Sequence, residues 1–132
     1  MKLMLDTNVC IDLIKEHPVP VLERFDSHAV GDIGISVITL AELEYGVSNS
    51  SRPAKNREAL AQFISALDVV PFDRQATAAY GRLRAALEKK GQSIGSMDLV
   101  IAAHAVSLDV RLITHNVREF GRVPGLRVED WT

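Results

Sequence analysis

Short strand-like runs alternate with helix-period segments along this chain, and that alternation leaves few folds open. Residues 2–5, 33–38, 69–71 and 111–114 read as short apolar strands, the second strongly β-branched, and 126–128 reads as a last one. Between them lie helical stretches. The first covers 9–15 and stops near Pro18 and Pro20, and 21–25 reads as a second. Thr39 opens another, with Leu40, Leu43 and Val47 at helical spacing. Residues 54–67 place Leu60, Phe63, Ile64 and Leu67 on one stripe. Asp73 is suited to cap a long helix that ends at Lys89 and Lys90 before Gly91, with cations and glycine where a C-terminus favours them. Residues 97–107 form the last helical stretch. This order predicts an α/β domain with a mainly parallel sheet. No repeat, low-complexity tract or linker divides it, so residues 1–132 read as one domain. A chain of that size buries roughly two-thirds of its unfolded surface and needs no covalent staple.

Cys10 is the only cysteine, so no intramolecular disulfide can form, and a reducing, cytoplasmic setting fits. The first residues read as a strand rather than a secretion signal, and no apolar run approaches the ~18 residues of a membrane span, so no membrane role is expected. The net charge of −2 is unremarkable, but its distribution is not. Residues 1–73 hold 6 Lys+Arg against 11 Asp+Glu, whereas 74–132 hold 9 against 6. The first part can gather carboxylates around a cation and the second can meet phosphates. The alternative is two solvated faces that differ by chance.

Three acids stand where chemistry is expected. Asp6 ends the first strand, Glu42 is expected in the turn after the second, and Asp98 opens the helix before 111–114. Parallel sheets place their sites beyond the carboxyl ends of strands, at a topological switch point. Each acid also has a structural explanation. Asp6 can cap a helix, Thr39 and Glu42 fit a capping box, and Asp98 can complement a helix dipole. Together they favour a site. Asp6 in LMLDTNVCI and Asp98 in IGSMDLVIAA are charges among core-forming residues, which is costly without a partner. A hard divalent cation relieves the repulsion of clustered carboxylates, and magnesium suits two carboxylates plus water. Such a cation can activate water and polarise a phosphate. No rival nucleophile is evident. The chain lacks a G-x-S-x-G elbow, a Walker A loop and G-x-G-x-x-G, and its four histidines have no zinc spacing. His104 reads as a packed or surface residue, and His115 as a possible supporter of the site.

LMLDTNVCIDLI, ISVITLAELEYGV, RLRAALEKKGQSIGSMDLVIAAHA and LITHNVREFGRVPGLRVEDW, in this order, resemble the PIN domain of VapC toxins. Those are the ribonuclease halves of bacterial toxin–antitoxin pairs. The resemblance covers nearly the whole chain. It implies a three-layer α/β/α sandwich around a short, mainly parallel sheet, and cleavage of RNA with Mg²⁺ or Mn²⁺. It implies Asp6 and Asp98 as metal carboxylates, Glu42 as a third acid, and Asn116 where many PIN domains carry a fourth. Asn8 and Thr114 match supporting polar residues, and Ser96 replaces a common proline. Toxins with similar C-terminal endings cut initiator tRNA in its anticodon stem-loop, which makes tRNA the preferred substrate. Arg82, Arg84, Lys89, Lys90, Arg118 and Arg122 are candidate RNA contacts, or else they solvate surfaces and pair with Glu88 and Glu119. The resemblance further implies a VapB-like antitoxin, a homodimer and a toxin–antitoxin hetero-oligomer. Leu43, Tyr45, Leu60 and Phe63 are candidate apolar surface for the dimer and the antitoxin tail.

Two rival classes remain at this stage. A phosphatase of the haloacid dehalogenase type needs D-x-D, and Asn8 occupies the second position. A PIN-fold binding module without catalysis keeps the fold, but has no reason to keep all three acids.

Overall fold

In the computed structural model, which describes residues 1–132, the chain forms five strands and seven helices. They run β1 (Leu3–Leu5), α1 (Thr7–Lys15), α2 (Val19–Asp26), β2 (Ile33–Ser36), α3 (Val37–Ser48), α4 (Pro53–Ile64), β3 (Asp68–Val70), α5 (Arg74–Lys89), α6 (Ser96–Leu108), β4 (Arg111–Ile113), α7 (Val117–Phe120) and β5 (Val128–Glu129). The sheet order is β3-β2-β1-β4-β5, and every pairing is parallel. The chain steps outward from β1 on one side, then returns to its other side with β4. The switch point therefore lies between β1 and β4, where Leu5 pairs with Ile113.

Strand alternation sends side chains to two separate cores. Leu3, Leu5, Ile33, Ile35 and Ile113 face a layer built from α1 to α4. Met4 and Leu112 face the opposite layer, built mainly from α5 and α6. This is the three-layer α/β/α arrangement. Gly34 is required where β2 meets its neighbours: a Cβ there would lie 2.2 Å from Met1 Sδ and 2.7 Å from the Asp68 carbonyl oxygen. The long fifth helix ends as its sequence indicates. Gly91 takes a φ of +67°, Gln92 N–H donates to the Leu87 carbonyl, and Gly91 N–H to that of Glu88.

Two expectations are corrected. The helix after β2 starts at Val37 rather than Thr39, because Ser36 is its cap and its hydroxyl accepts from Ile38 N–H at 3.0 Å. No Thr39 capping box forms, and Glu42 lies inside α3 rather than in a turn. The segment after β4 holds a short helix, α7, that strand and helix periodicity did not indicate. No helix is long and apolar enough to cross a membrane.

Candidate active site

The carboxyl ends of β1 and β4 bring the acids together through one chain of hydrogen bonds. Asp6 caps α1, with Thr7 N–H donating to its Oδ1 at 2.8 Å. Its Oδ2 accepts from the buried Thr114 hydroxyl at 2.9 Å, just beyond β4. The Thr7 hydroxyl donates to Glu42 Oε1 and so ties α3 to the same point. On the other side, Asn116 N–H donates to Thr114 Oγ1 at 3.0 Å, and the Asn116 amide donates to Glu119 Oε2 at 2.8 Å. Glu119 Oε1 accepts from Gly95 N–H at 3.1 Å, which fixes the cap of α6 and thereby the position of Asp98 in its first turn. Four segments distant in sequence are thus locked at one place.

The electrostatics follow from that convergence. Burial, and then the charges of Asp6, Glu119 and Glu42, raise the Asp98 carboxyl to about 6. Burial also raises Asp6, against the lowering effect of its bonds from Thr114 and Thr7. None of Asp6, Glu42 and Asp98 forms a salt bridge. Oxygen donors, mutual repulsion and the lack of a balancing cation side chain fit a hard divalent ion. Asp6 and Asp98 would hold it, with Glu42 beside them. Cys10 is no competing nucleophile: burial and then the Asp6 charge push its thiol well above the usual range.

Other candidates fall into three groups. Thr114 and Asn116 belong to the network, whereas Asn8 is exposed on α1 and makes no side-chain hydrogen bond to it. Among the cations, Arg84 is engaged by Glu88 at 3.2 Å and by the Tyr80 hydroxyl at 3.1 Å, and Arg122 donates to the Ser93 carbonyl at 3.3 Å. Arg82, Lys89, Lys90 and Arg118 are exposed and form no salt bridge. Among the apolar candidates, Leu43 and Leu60 are buried yet line a cavity of about 370 Å³ with Ile11, Ile14 and Glu42. Phe63 is half-buried against Phe25, and Tyr45 is exposed. His104 is core: it meets Ser36 Oγ at 2.8 Å and the edge of Phe72, and burial lowers its pKa. His115 bonds to Asp12 and Asp130 rather than to the acid cluster, yet lies near enough for its charge to lower Asp6.

Thr7 and Glu119 join the site although the sequence reading does not include them. Thr7 directly follows Asp6 in LDTN. Asn116 and Glu119 have the N-x-x-E spacing of a helix start, a signal available but unused.

Comparison with known proteins gives a consistent picture. Residues 3–126 match the PIN domain family. The chain is 44% identical to a tRNA(fMet)-specific endonuclease VapC from Shigella flexneri, over 100% of this chain and 99% of that protein. It is 43% identical to ribonuclease VapC2 from Rickettsia felis, over 97% and 96% of the two chains. A crystal structure of DNA-bound VapBC from Salmonella typhimurium superposes with a TM-score of 0.95 at 45% identity, covering 100% of this chain and 99% of that one.

Proposed function

This chain belongs to the PIN-domain family, in its VapC branch, and from that premise we propose that it cleaves RNA with a divalent cation held by Asp6 and Asp98. It is a VapC-type endoribonuclease whose partner is a VapB-type antitoxin, as in the structurally similar complexes. One observation supports the chemistry above the others: Asp6 and Glu42 lie near enough for their charges, after burial, to help raise Asp98 to about 6, and none of the three is salt-bridged to a base.

When bound, Mg²⁺ or Mn²⁺ supplies Lewis acidity to the phosphate and makes a neighbouring water more acidic. The residues supply geometry. Thr7 and Thr114 occupy both oxygens of Asp6, so the carboxylate cannot rotate away. Thr7 also fixes Glu42 by one oxygen, and the other can orient the attacking water and accept its proton. Water adds to phosphorus as one P–O ester bond breaks, its proton passing to Glu42, and the leaving ribose oxygen takes a proton from solvent. Asn116 and Glu119 act one step out, by holding the start of α6 and hence Asp98. Glu119 thus supplies a fourth acid near the position where Asn116 replaces one.

The substrate proposed is tRNA, with the initiator tRNA anticodon stem-loop preferred because a close relative is named for that specificity. Arg82, Lys89, Lys90 and Arg118 are exposed cations suited to its phosphates. We place the enzyme in the cytoplasm as a homodimer. Its antitoxin tail is proposed to lie in the Ile11–Leu43–Leu60 groove and bring a guanidinium to the acids. The test is to free the purified chain of its partner, supply a total tRNA pool with MgCl₂ or MnCl₂, and map the ends produced. Discrete cuts in one tRNA that EDTA abolishes support the reading. Absence of cation-dependent cleavage with either metal overturns it.

A further inference from the structure

A second cavity, of about 390 Å³, opens beside the acid cluster and is lined by Thr7, Ala41, Glu42, Tyr45 and Met97. Thr7 and Glu42 are already linked to each other in the site, so the cavity continues from it. Ala41 and Tyr45 are one turn apart on the solvent-facing side of α3, and Met97 directly precedes Asp98 in the first turn of α6. Tyr45 is 69% exposed and Met97 43%, and neither belongs to either core. Both are large, apolar and placed at the mouth of a polar site. Isolated exposed apolar residues are ordinary, but two that face one cavity beside reactive groups call for an occupant.

We propose that Tyr45 and Met97 hold the nucleobase adjoining the scissile phosphate. This rests on the ribonuclease reading above. A phosphate does not suit the cavity itself, because Glu42 lines it and no Lys or Arg does. A ribose alone needs more polar partners than Thr7 and Glu42 offer. A base presents a flat π-face, which an aromatic ring stacks against whatever its identity. A methionine thioether adapts to ring edges and faces. With the base against Tyr45, the adjoining phosphate falls toward Asp6 and Asp98. Tyr45 is then a binding residue that acts mainly on KM, and its hydroxyl is dispensable.

The test uses the full chain, freed of its partner, and an RNA hairpin whose cut site the wild-type protein defines. Tyr45→Ala is expected to raise KM by about 5- to 100-fold while kcat changes by no more than about threefold. Tyr45→Phe should match wild type, and Met97→Ala should show a smaller rise. An RNA with an abasic site beside the cleaved bond should lose the same factor with wild type and nothing more with Tyr45→Ala. The proposal is overturned by an unchanged KM in Tyr45→Ala, or by full additivity of the variant and the abasic RNA. It is also overturned if Tyr45→Ala cuts normally but no longer binds the antitoxin, since the cavity is then a protein contact. If wild type cuts no RNA with either cation, the ribonuclease reading fails first and this one with it.

Discussion

Two groups of acids meet the residues just after β4, and they are balanced in opposite ways. Asp12, from α1, and Asp130, from the C-terminal tail, both bond to His115, the latter at 3.3 Å. Hydrogen bonds from Thr132, then the His115 contact, hold the Asp130 carboxyl below its ordinary value. Nearby, Arg24 pairs with Glu129 at 3.0 Å and lies over the ring of Trp131, which also stacks on His28. That region is complete: each charge has a protein partner, and the arrangement fastens the tail to α1 and α2. One residue earlier, Thr114 belongs to the other group. Asp6 and Glu42 have hydroxyl and amide donors, Asp98 has none, no base bonds to any of the three, and Asp98 rises instead of falling. Acids paired with bases hold a fold together, whereas acids gathered without one store repulsion that a cation can relieve.

The largest expected effect comes from removing one of the uncompensated charges. Asp98→Asn keeps the side chain's volume and should lower kcat/KM by roughly 100-fold or more, since a contact to developing phosphate charge contributes several kcal/mol. The same substitution should raise the thermal midpoint of the metal-free chain at pH 7.5, because it removes a charge that the fold raises to about 6. Loss of activity together with gain of stability is the signature of the uncompensated group. A variant that cleaves normally, or wild-type cleavage that persists in EDTA, would sink the mechanism.

Next in size is the hydroxyl that links the uncompensated group to the residues after β4. Thr114→Val preserves shape but removes the donor to Asp6 Oδ2 and the acceptor of Asn116 N–H. Leaving the buried Asp6 oxygen without its donor costs about 1–3 kcal/mol. Activity at saturating cation should fall by about tenfold, and Thr114→Ser should recover most of it. Equal losses in Thr114→Val and Thr114→Ser would assign the effect to packing rather than to the hydroxyl.

The uncompensated group also makes stability depend on pH with a definite sign. Asp98 binds its proton more tightly folded than unfolded, so the metal-free chain should lose stability as pH rises from about 4 through about 6. Solvent access to Asp98 reduces the full effect to roughly 1–2 kcal/mol. Mg²⁺ should restore it at pH 7.5 and do much less at pH 5, where the proton competes. Thermal melts with and without cation at the two pH values, on wild type and Asp98→Asn, read this directly. A cation-induced rise that is equal at both pH values, or that survives Asp98→Asn, contradicts it.

The same contrast explains what was legible in the sequence. Asp6 and Asp98 stood out because each interrupts an apolar run, and the alternating elements placed them at the ends of β1 and α6. The α/β order was readable because strand and helix periods switch cleanly between β1 and β4. Less readable were short-range choices between similar residues. Ser36 and Thr39 are both good caps and both are buried, and it is Ser36 whose hydroxyl accepts from the first turn of the helix. The four-residue α7 is too short to show a helical period. Without it, Glu119 looks like an exposed partner for arginine rather than the support of Gly95. The His115 clamp joins residues 103 and 15 positions apart, a pairing that no local pattern encodes.

The smallest expected effect tests the compensated group. Burial works against a charge on His115, but its bonds to Asp12 and Asp130 outweigh this and raise its pKa above 6.5. Its stabilisation is therefore fully present below about pH 6.5, where the unfolded side chain is also protonated. It fades as pH rises through the folded value. His115→Ala leaves Asp12 and Asp130 facing each other with no base between them. The cost should be about 1 kcal/mol or less at pH 6, given that all three groups remain partly in contact with water. It should be smaller at pH 8.5, where the neutral imidazole of wild type has already lost the ionic part. Urea midpoints of the two proteins at both pH values measure the difference. A gap that does not narrow at high pH means that the contact acts through packing, and the two acid groups then differ less than their partners imply. RNA cleavage at saturating cation should change by no more than a few-fold, because His115 makes no hydrogen bond to Asp6, Glu42 or Asp98 and fastens the tail through Asp12 and Asp130.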